Sequence, residues 1–520
     1  MIAIRVDTLC GLGHFMRCKW LALALQACGK EVIVFVDKPV PEQLSLELKS
    51  NTKALPFAQT QKEDAHNVLK ALSEIQKPVE SIIVDSYRFD SEWELEVAKQ
   101  IPSIVAVDDL ERAHSAKLLI DSKWCGDKTG ERYASSQYKL LGPDFAMLSP
   151  AYQHCTHQDR KLNRVMFSLG GGGDWHSVSD WIALLLNMAP EIEIDVILGP
   201  MAERVEALTL LANTTSRLQL IRQPPSLVPY YQSCSLFVGA LGTSLYELAA
   251  TNTPALTFSI APNQDNQQSA LDDLGHYFHV PELLTRKASE VVALILTLVK
   301  QSTRIIKARE IAPIKVDGRG AIRVAEFILA NDIKSSVTQR ALHSQETNIC
   351  QLTTQVQIRQ VNDSDVNRYL VARNLPDNTW RMTITSGIDV LGHYQWWFAN
   401  SRESFVMESN SKPLLYVWHQ MHSIEAQEYL VGGWFAASDE VNFAHAQMVL
   451  EWQLRETAAK YPKAIWLAVI NKENKFVNLL NQRAGFVSIE HDEKKMRATQ
   501  QLFPNASLCE FNYVGKEVNT

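Results

Sequence analysis

Apolar residues in the first 330 positions fall in short continuous runs rather than in alternation. Residues 1–6 form one run, 31–36 (EVIVFV) the next, then 81–84 (SIIV) and 104–107 (IVAV), the last two each leading into an aspartate. A helical pattern fills about 15–27 between the first two runs. Continuous apolar runs separated by helices predict a parallel sheet covered on both faces. The pattern stops at the polar stretch 154–162 and starts again. Residues 164–169 run into four glycines at 170–173, runs at 194–198, 236–238 and 254–259 follow, and a basic helical stretch at 303–330 closes the unit. Two doubly wound units in succession predict facing Rossmann-like domains, 1–155 and 160–330, with a cleft between them. Ligands of such sheets sit at the carboxyl ends of the strands. Residues 331–354 are polar, lack an apolar period and read as a linker. The remainder, 355–520, is rich in tryptophan and alternates strands with helices, which predicts an α+β domain.

Length agrees with this division, because 520 residues exceed one core and suggest domains of about 150 residues each. Hydrophobic content of 46% and charged content of 21% are ordinary for a globular protein. A net charge of −7 argues against a nucleic-acid partner while leaving room for a local basic pocket around a diphosphate. The eight cysteines are scattered without CxxC or metal-type spacing and read as free thiols of a reducing cytosol. The first residues lack the basic and apolar regions of a signal peptide, and no apolar run approaches a membrane span. The expectation is a cytoplasmic protein without a membrane partner.

The richest loop is Asp7-Thr-Leu-Cys-Gly11-Leu-Gly13-His14-Phe-Met-Arg17, between the first strand and the first helix. Glycines permit a tight turn and close approach to a ligand. His14 then opens the helix, whose positive dipole end disfavours a charged imidazole and so favours the neutral form that a general base requires. The same residues also suit a plain turn with a capping histidine. This loop resembles the "GTGHVMRC" signature of the family that hydrolyses UDP-2,4-diacetamido-2,4,6-trideoxy-β-L-altropyranose in pseudaminic (nonulosonic) acid biosynthesis. Further stretches follow in the same order. Val84-Asp85-Ser86-Tyr87 with Trp93-Glu94 is similar to "VDHY…WE", and Asp108-Asp109-Leu110 to "DDL". Residues 141–148 are similar to "LLGP.YALL", Phe167-Ser168-Leu169-Gly170-Gly171 to "SFGG", and the series ends with 239–247 and Asn263-Gln264. The spacing between Asp7 and the glycines is about two residues shorter than in the family.

On the nucleotide side, Gly170 and Gly171 follow a strand, and their N–H groups suit a diphosphate, although a plain turn has the same look. Gly242, Thr243 and Ser244 are expected to open a helix with N–H and hydroxyl groups toward an anion. Glu247, on its first turn, suits the ribose hydroxyls or simply a helix N-terminus. The element 239–247 is similar to the donor-nucleotide motif of B-type glycosyltransferases, which implies UDP but does not separate hydrolase from transferase. Asn263 and Gln264 follow the 254–259 run. The resemblance implies that an asparagine there lines the sugar site; a loop cap is the other reading.

Taken together, the resemblance implies a GT-B-like pair of Rossmann-type domains that releases UDP from the anomeric carbon with inversion. His14 would act as base on water, with Tyr87, Asn263 and Asp7 in the catalytic set. Gly11, Gly13, Arg17, Gly170, Gly171, Gly242, Thr243, Ser244, Glu247 and Gln264 would bind the UDP-sugar. No acidic cluster suggests a required metal, and no cofactor is expected for this step. The rival is a true UDP-sugar glycosyltransferase. In the last domain, Ile358-Arg359 to Arg373-Asn374, His393 to Phe398, and Asn474 to Phe486 resemble GNAT-family N-acetyltransferases, which implies acetyl-CoA and a second, 4-amino-sugar N-acetylating activity. Ala444, Ala446 and Asn474 are the candidate acetyl-CoA residues. Alanine stands where the family's pyrophosphate loop has its first glycine, an acid (Glu440) where a base or amide is usual, and Asn481 at the spacing of the usual tyrosine. A non-catalytic module is the alternative. The tryptophans at 380, 396, 397 and 434 read as core.

Overall fold

The computed structural model describes residues 1–9, 12–48, 51–155, 160–261, 264, 266–330, 332–341 and 349–518. The chain divides into two compact units, 1–343 and 344–520.

The first unit holds two parallel sheets. Strands β1 (Ile2–Val6), β2 (Val32–Val36), β3 (Thr52–Ala54), β4 (Ser81–Asp85), β5 (Ile104–Val107), β6 (Leu118–Asp121) and β7 (Tyr138–Leu141) belong to the first. The second contains β8 (Arg164–Ser168), β10 (Glu193–Leu198), β12 (Leu218–Arg222), β13 (Leu236–Ala240), β14 (Ala255–Phe258) and β15 (Phe278–His279). Between them in sequence, β9 (Gly172–Asp174) and β11 (Met201–Glu203) form a separate parallel pair. Every residue of β1, β4 and β5 is buried, as continuous apolar runs in a doubly covered sheet require.

Strand order positions the chemistry. The first sheet runs β7-β6-β5-β4-β1-β2-β3, so the chain reverses its direction of winding beside β1. The second runs β12-β10-β8-β13-β14-β15 and reverses beside β8. At such a reversal the connections leave in opposite directions and open a crevice at the carboxyl ends. The loop after β1 and the 85–87 segment after β4 lie at the first crevice. Both glycine motifs, after β8 and after β13, lie at the second. This is the expected pair of Rossmann-type sheets of GT-B-like kind.

Within the expected linker 331–354, the described residues 332–341 pack on the first unit. Ser336–Val337 (β16) extends the first sheet by pairing with Leu140 and Leu141. The Thr338 hydroxyl accepts the Asp144 N–H at 3.0 Å, and Arg340 reaches Asp273 at 2.7 Å. Polar residues without an apolar period still dock when backbone pairing and ion pairs hold them.

The second unit is an α+β domain built on a mixed sheet. Its strands are β17 (Ile349–Gln351), β18 (Val356–Gln360), β19 (Glu403–Ser409), β20 (Lys412–Ile424), β21 (Gln427–Ala436), β22 (Ile465–Asn471), β23 (Val487–Ser488) and β24 (Phe511–Glu517), in the order 17-18-19-20-21-22-24-23. Neighbours are antiparallel except β21 and β22, whose parallel pairing covers only Tyr429–Val431 against Ile465–Leu467. Beyond Val431 the two strands lose their ladder partners on the sides they present to each other.

Gly239 tests the packing at the second crevice. It pairs with Ser168, and a Cβ there would run into the Ser168 carbonyl. Gly239→Ala is therefore expected to destabilise the first unit by about 1–3 kcal/mol. A urea midpoint equal to that of the unaltered protein would contradict this packing.

Candidate functional site

The site grows from the last residue of β4. Asp85 pairs with Val6 in the ladder, so its carboxylate emerges at the carboxyl edge, fully buried. Four side-chain atoms converge on it. Arg17 grips it with Nε and Nη2, each at 2.6 Å, His14 Nδ1 lies 2.6 Å from Oδ1, and the Cys18 thiol is 3.3 Å from Oδ2. All three partners lie on helix α1 (Gly13–Ala27), at spacings of three and four residues that put them on one face. Burial alone would raise the Asp85 carboxyl, but Arg17 and then His14 outweigh it and hold it well below the usual carboxylate range. Burial opposes the Arg17 charge in turn, and Asp85 overcomes it and raises that guanidinium.

His14 is 7% exposed. With an ionised carboxylate at Nδ1, the network assigns the neutral-ring proton to Nδ1 and the lone pair to Nε2. The Tyr87 ring meets the imidazole edge-on, with centroids 4.5 Å apart and planes at 86°. The Tyr87 hydroxyl donates to Asp109 Oδ1 at 2.9 Å, and Arg17 Nη1 approaches Asp109 Oδ2 at 3.3 Å. Thus the structure brings His14, Arg17 and Tyr87 together. Asp85 and Asp109, which complete the group, had been noted only within motifs. Their signal was an aspartate directly after an apolar run, where a strand's carboxyl end must lie.

Asp7 takes another part. Its buried carboxylate accepts the Leu9 N–H at 2.8 Å and the Ser86 hydroxyl at 3.0 Å, and it pairs with Arg88 at 3.3 Å. It holds the loop instead of facing the cleft, because the loop's first N–H groups need an acceptor. Gly11 and Asn263 lie outside the described residues.

Gly13 faces the other half of the unit. A Cβ on it would stand 3.6 Å from Thr243 Cγ2. The halves are also bridged by Tyr246, whose hydroxyl donates to the Ser122 carbonyl at 2.7 Å, and by Trp124 Nε1, which donates to Asp273 at 2.9 Å. Gly170 and Gly171 are exposed with open space before them, and Gly170 has φ +76°, the left-handed region. The Gly170 N–H already donates to Ser168 Oγ at 3.2 Å. Gly242 and Thr243 are exposed at the start of the Ser244–Ala250 helix, beside Gln264, whose Oε1 accepts the Ile260 N–H at 2.9 Å.

Two nucleotide-side expectations change. The Ser244 hydroxyl donates back to the Ala240 carbonyl at 2.9 Å, a local bond open to any serine near a helix start, and is not aimed outward. The Glu247 carboxylate accepts the Tyr231 hydroxyl at 3.0 Å and also binds Tyr152. Burial pushes its pKa up, and the two phenols counter this. A ribose would have to share it.

In the second unit the expected acetyl-CoA residues form no cradle. The Phe443–Lys460 helix has already begun at Ala444, and Asn442 caps it by accepting the His445 N–H at 3.1 Å. Ala446 is fully buried and packs with Leu450 and Leu480. Asn474 caps the Lys475–Arg483 helix through the Val477 N–H at 3.2 Å. Asparagine at both positions does what an N-cap requires. His393 is a core residue: Nε2 bonds to the Val366 carbonyl at 2.9 Å, aromatic rings surround it, and burial lowers it to about 4.

No protein-family model and no curated protein sequence matches the chain. Among solved structures, MurG of Acinetobacter baumannii is 13% identical, with TM-score 0.44, over 63% of this chain and 98% of that one. The S. aureus MnaA–UDP co-structure is 12% identical, with TM-score 0.47, over 64% and 99%. An N-acetyltransferase from Staphylococcus aureus Mu50 is 15% identical, with TM-score 0.25, over 32% and 99%. Such likenesses assign no activity.

A buried charge group behind the site gives a pH test. His114 Nδ1 lies 2.6 Å from Glu94, and Nε2 lies 3.6 Å from Asp108. Burial works against its charge, yet these carboxylates push it up to about 9. A histidine raised in the folded state stabilises fully below the unfolded value of about 6.5, and the gain is lost as pH rises through about 9. The contribution is at most about 3 kcal/mol. Denaturation of the first unit is expected to become easier between pH 7 and 9.5, and His114→Gln to flatten that trend. An equally steep trend in the variant would remove His114 as its source.

Proposed function

We propose that the first unit hydrolyses a UDP-linked 2,4-diacetamido-2,4,6-trideoxy sugar at its anomeric carbon, supplying a free sugar for a nonulosonic acid such as pseudaminic acid. The observation that carries this reading is the His14–Asp85 pair at 2.6 Å at the carboxyl edge of β4. Asp85 fixes the imidazole tautomer and Arg17 keeps Asp85 ionised, so Nε2 is the nitrogen able to take a proton. Nε2 removes a proton from water, the water oxygen bonds to the anomeric carbon from the face opposite UDP, and the bond from that carbon to the diphosphate oxygen breaks. UDP leaves with the bonding pair and the configuration inverts. The opposing side, with Gly170, Gly171, Gly242 and Thr243, receives the diphosphate, where N–H groups favour the developing charge. The ordered motif series supports UDP as the nucleotide and this sugar as its partner.

His14→Gln is expected to lower UDP release by about 100- to 10,000-fold. Unchanged turnover would remove His14 as base. In oxygen-18 water the label should enter the free sugar, whereas label in UDP would mean attack at phosphorus. UDP release that depends on an added acceptor would establish a glycosyltransferase instead.

For the second unit, we propose that it binds acetyl-CoA by the amide-bearing arm alone, along the edges of β21 and β22 beyond Val431 and Leu467. The strands' loss of ladder partners supports this, since exposed edges pair with extended amide chains. The edge is already filled at Ala436, whose N–H and carbonyl bond to the Asn378 amide at 3.2 and 2.8 Å, which leaves the stretch from Gly432 to Trp434. The bound group would supply an acetyl thioester for N-acetylation of the amino sugar. Titration calorimetry on the whole chain should give pantetheine and coenzyme A similar affinities. A much tighter coenzyme A would point to a pyrophosphate site elsewhere, and no binding of either would make the unit a non-catalytic module.

A further inference from the structure

Behind Tyr87 stands a guanidinium outside the mechanism above. Arg112 spreads its guanidinium over four residues. Nε donates to Asp108 Oδ1 at 2.7 Å, and Nη2 reaches the same oxygen at 2.5 Å. The remaining donors take three main-chain carbonyls: Ser86 at 2.8 Å, Tyr87 at 3.1 Å and Phe89 at 2.9 Å. Those carbonyls belong to the segment that leaves β4 after Asp85 and carries Tyr87. The guanidinium carbon also sits 5.9 Å from the Tyr87 ring centroid.

Asp108 is anchored in its own right. It accepts the N–H groups of Leu110 and Arg112 at 3.2 and 3.1 Å and the Tyr133 hydroxyl at 2.8 Å. Arg112 therefore ties the segment after β4 to the turn after β5. The planar five-donor fork is what this needs: a lysine offers three donors from one point and cannot span three carbonyls and a carboxylate. Down the chain of contacts, the Tyr87 ring stands edge-on against the His14 imidazole, which Asp85 and Arg17 Nη2, 3.1 Å from Nδ1, also contact.

We propose that Arg112 is the positioning residue of the base: it fixes the 86–89 segment so that Tyr87 holds His14 in its working orientation. This rests on the reading of His14 as base. In this arrangement Arg112 acts through the 86–89 backbone, so its loss should act on turnover and not on substrate affinity.

Two measurements on the whole chain test it. In kinetics of UDP release, Arg112→Lys and Arg112→Gln are expected to lose about 100-fold in kcat, the scale of a small misplacement of a catalytic group, with KM essentially unchanged. Added guanidinium should restore part of the kcat of Arg112→Gly. In nuclear magnetic resonance with selectively labelled histidine and tyrosine, the cross-relaxation between the His14 and Tyr87 rings should be present in the unaltered protein and absent in Arg112→Gln. A retained ring contact, an unchanged kcat, or a rise in KM in place of the kcat loss would each overturn the proposal. Should Arg112→Gln fail to fold, Tyr133→Phe removes the hydroxyl that donates to the Asp108 carbonyl and carboxylate and accepts the Glu111 N–H, and should weaken the ring contact with a severalfold kcat loss; no change in either would count against the chain of contacts. If the unaltered protein releases no UDP from any nucleotide sugar, the base reading fails, and the ring contact still decides the role of Arg112.

Discussion

The first unit depends on one buried carboxylate. Asp85 must be charged at the end of an otherwise apolar strand, where burial of a lone charge is costly. The chain meets that demand by folding the start of α1 over it, so that Arg17 supplies a two-point ion pair, His14 a hydrogen bond and Cys18 a thiol. Stability and chemistry are joined there. The interactions that make the charge tolerable also set the imidazole tautomer.

The same logic extends outward through alternating charges. Arg5 is buried under Asp64 and Asp37, Asp37 pairs with Arg88, and Arg88 pairs with Asp7. On the other flank, Asp108, Arg112, His114 and Glu94 form a second group. Both groups lie under the loops after β1, β4 and β5. Loops lack ladder bonds, so their carbonyl and N–H groups take direction from these side chains. A cleft on a parallel sheet is thereby given a rigid floor on one side, while the second crevice presents glycine backbone across from it.

The second unit shows how a resemblance in sequence can mislead at the level of side chains. Its mixed sheet and separating β21 and β22 are those of an α+β domain of the expected kind. Yet Asn442 and Asn474 serve as helix caps, Ala446 is core, and His393 is a neutral interior histidine among aromatic rings. A motif position fixes where a residue lies along the chain. Whether its polar atoms face a ligand depends on which backbone groups nearby lack partners.

Runs of apolar residues and their interruptions made the two parallel sheets and the mixed domain legible from the sequence, because a doubly covered strand buries most of its side chains on both faces and admits few polar ones. The ordered motifs likewise located the segments that carry His14, Tyr87, Gly170 and Gly242, since each follows an apolar run that ends at the carboxyl edge of a sheet. Short strands such as β3 and β16 were not legible, because two or three residues leave no period and pairing alone holds them. What only the tertiary structure decided was direction. Asp7 and Asp85 each end or follow a strand of the same sheet, and the sequence treats them alike. The folded chain turns one into its own loop and sets the other against α1, because β1 and β4 are neighbours at the reversal of winding and only one of their aspartates can meet the helix that crosses there.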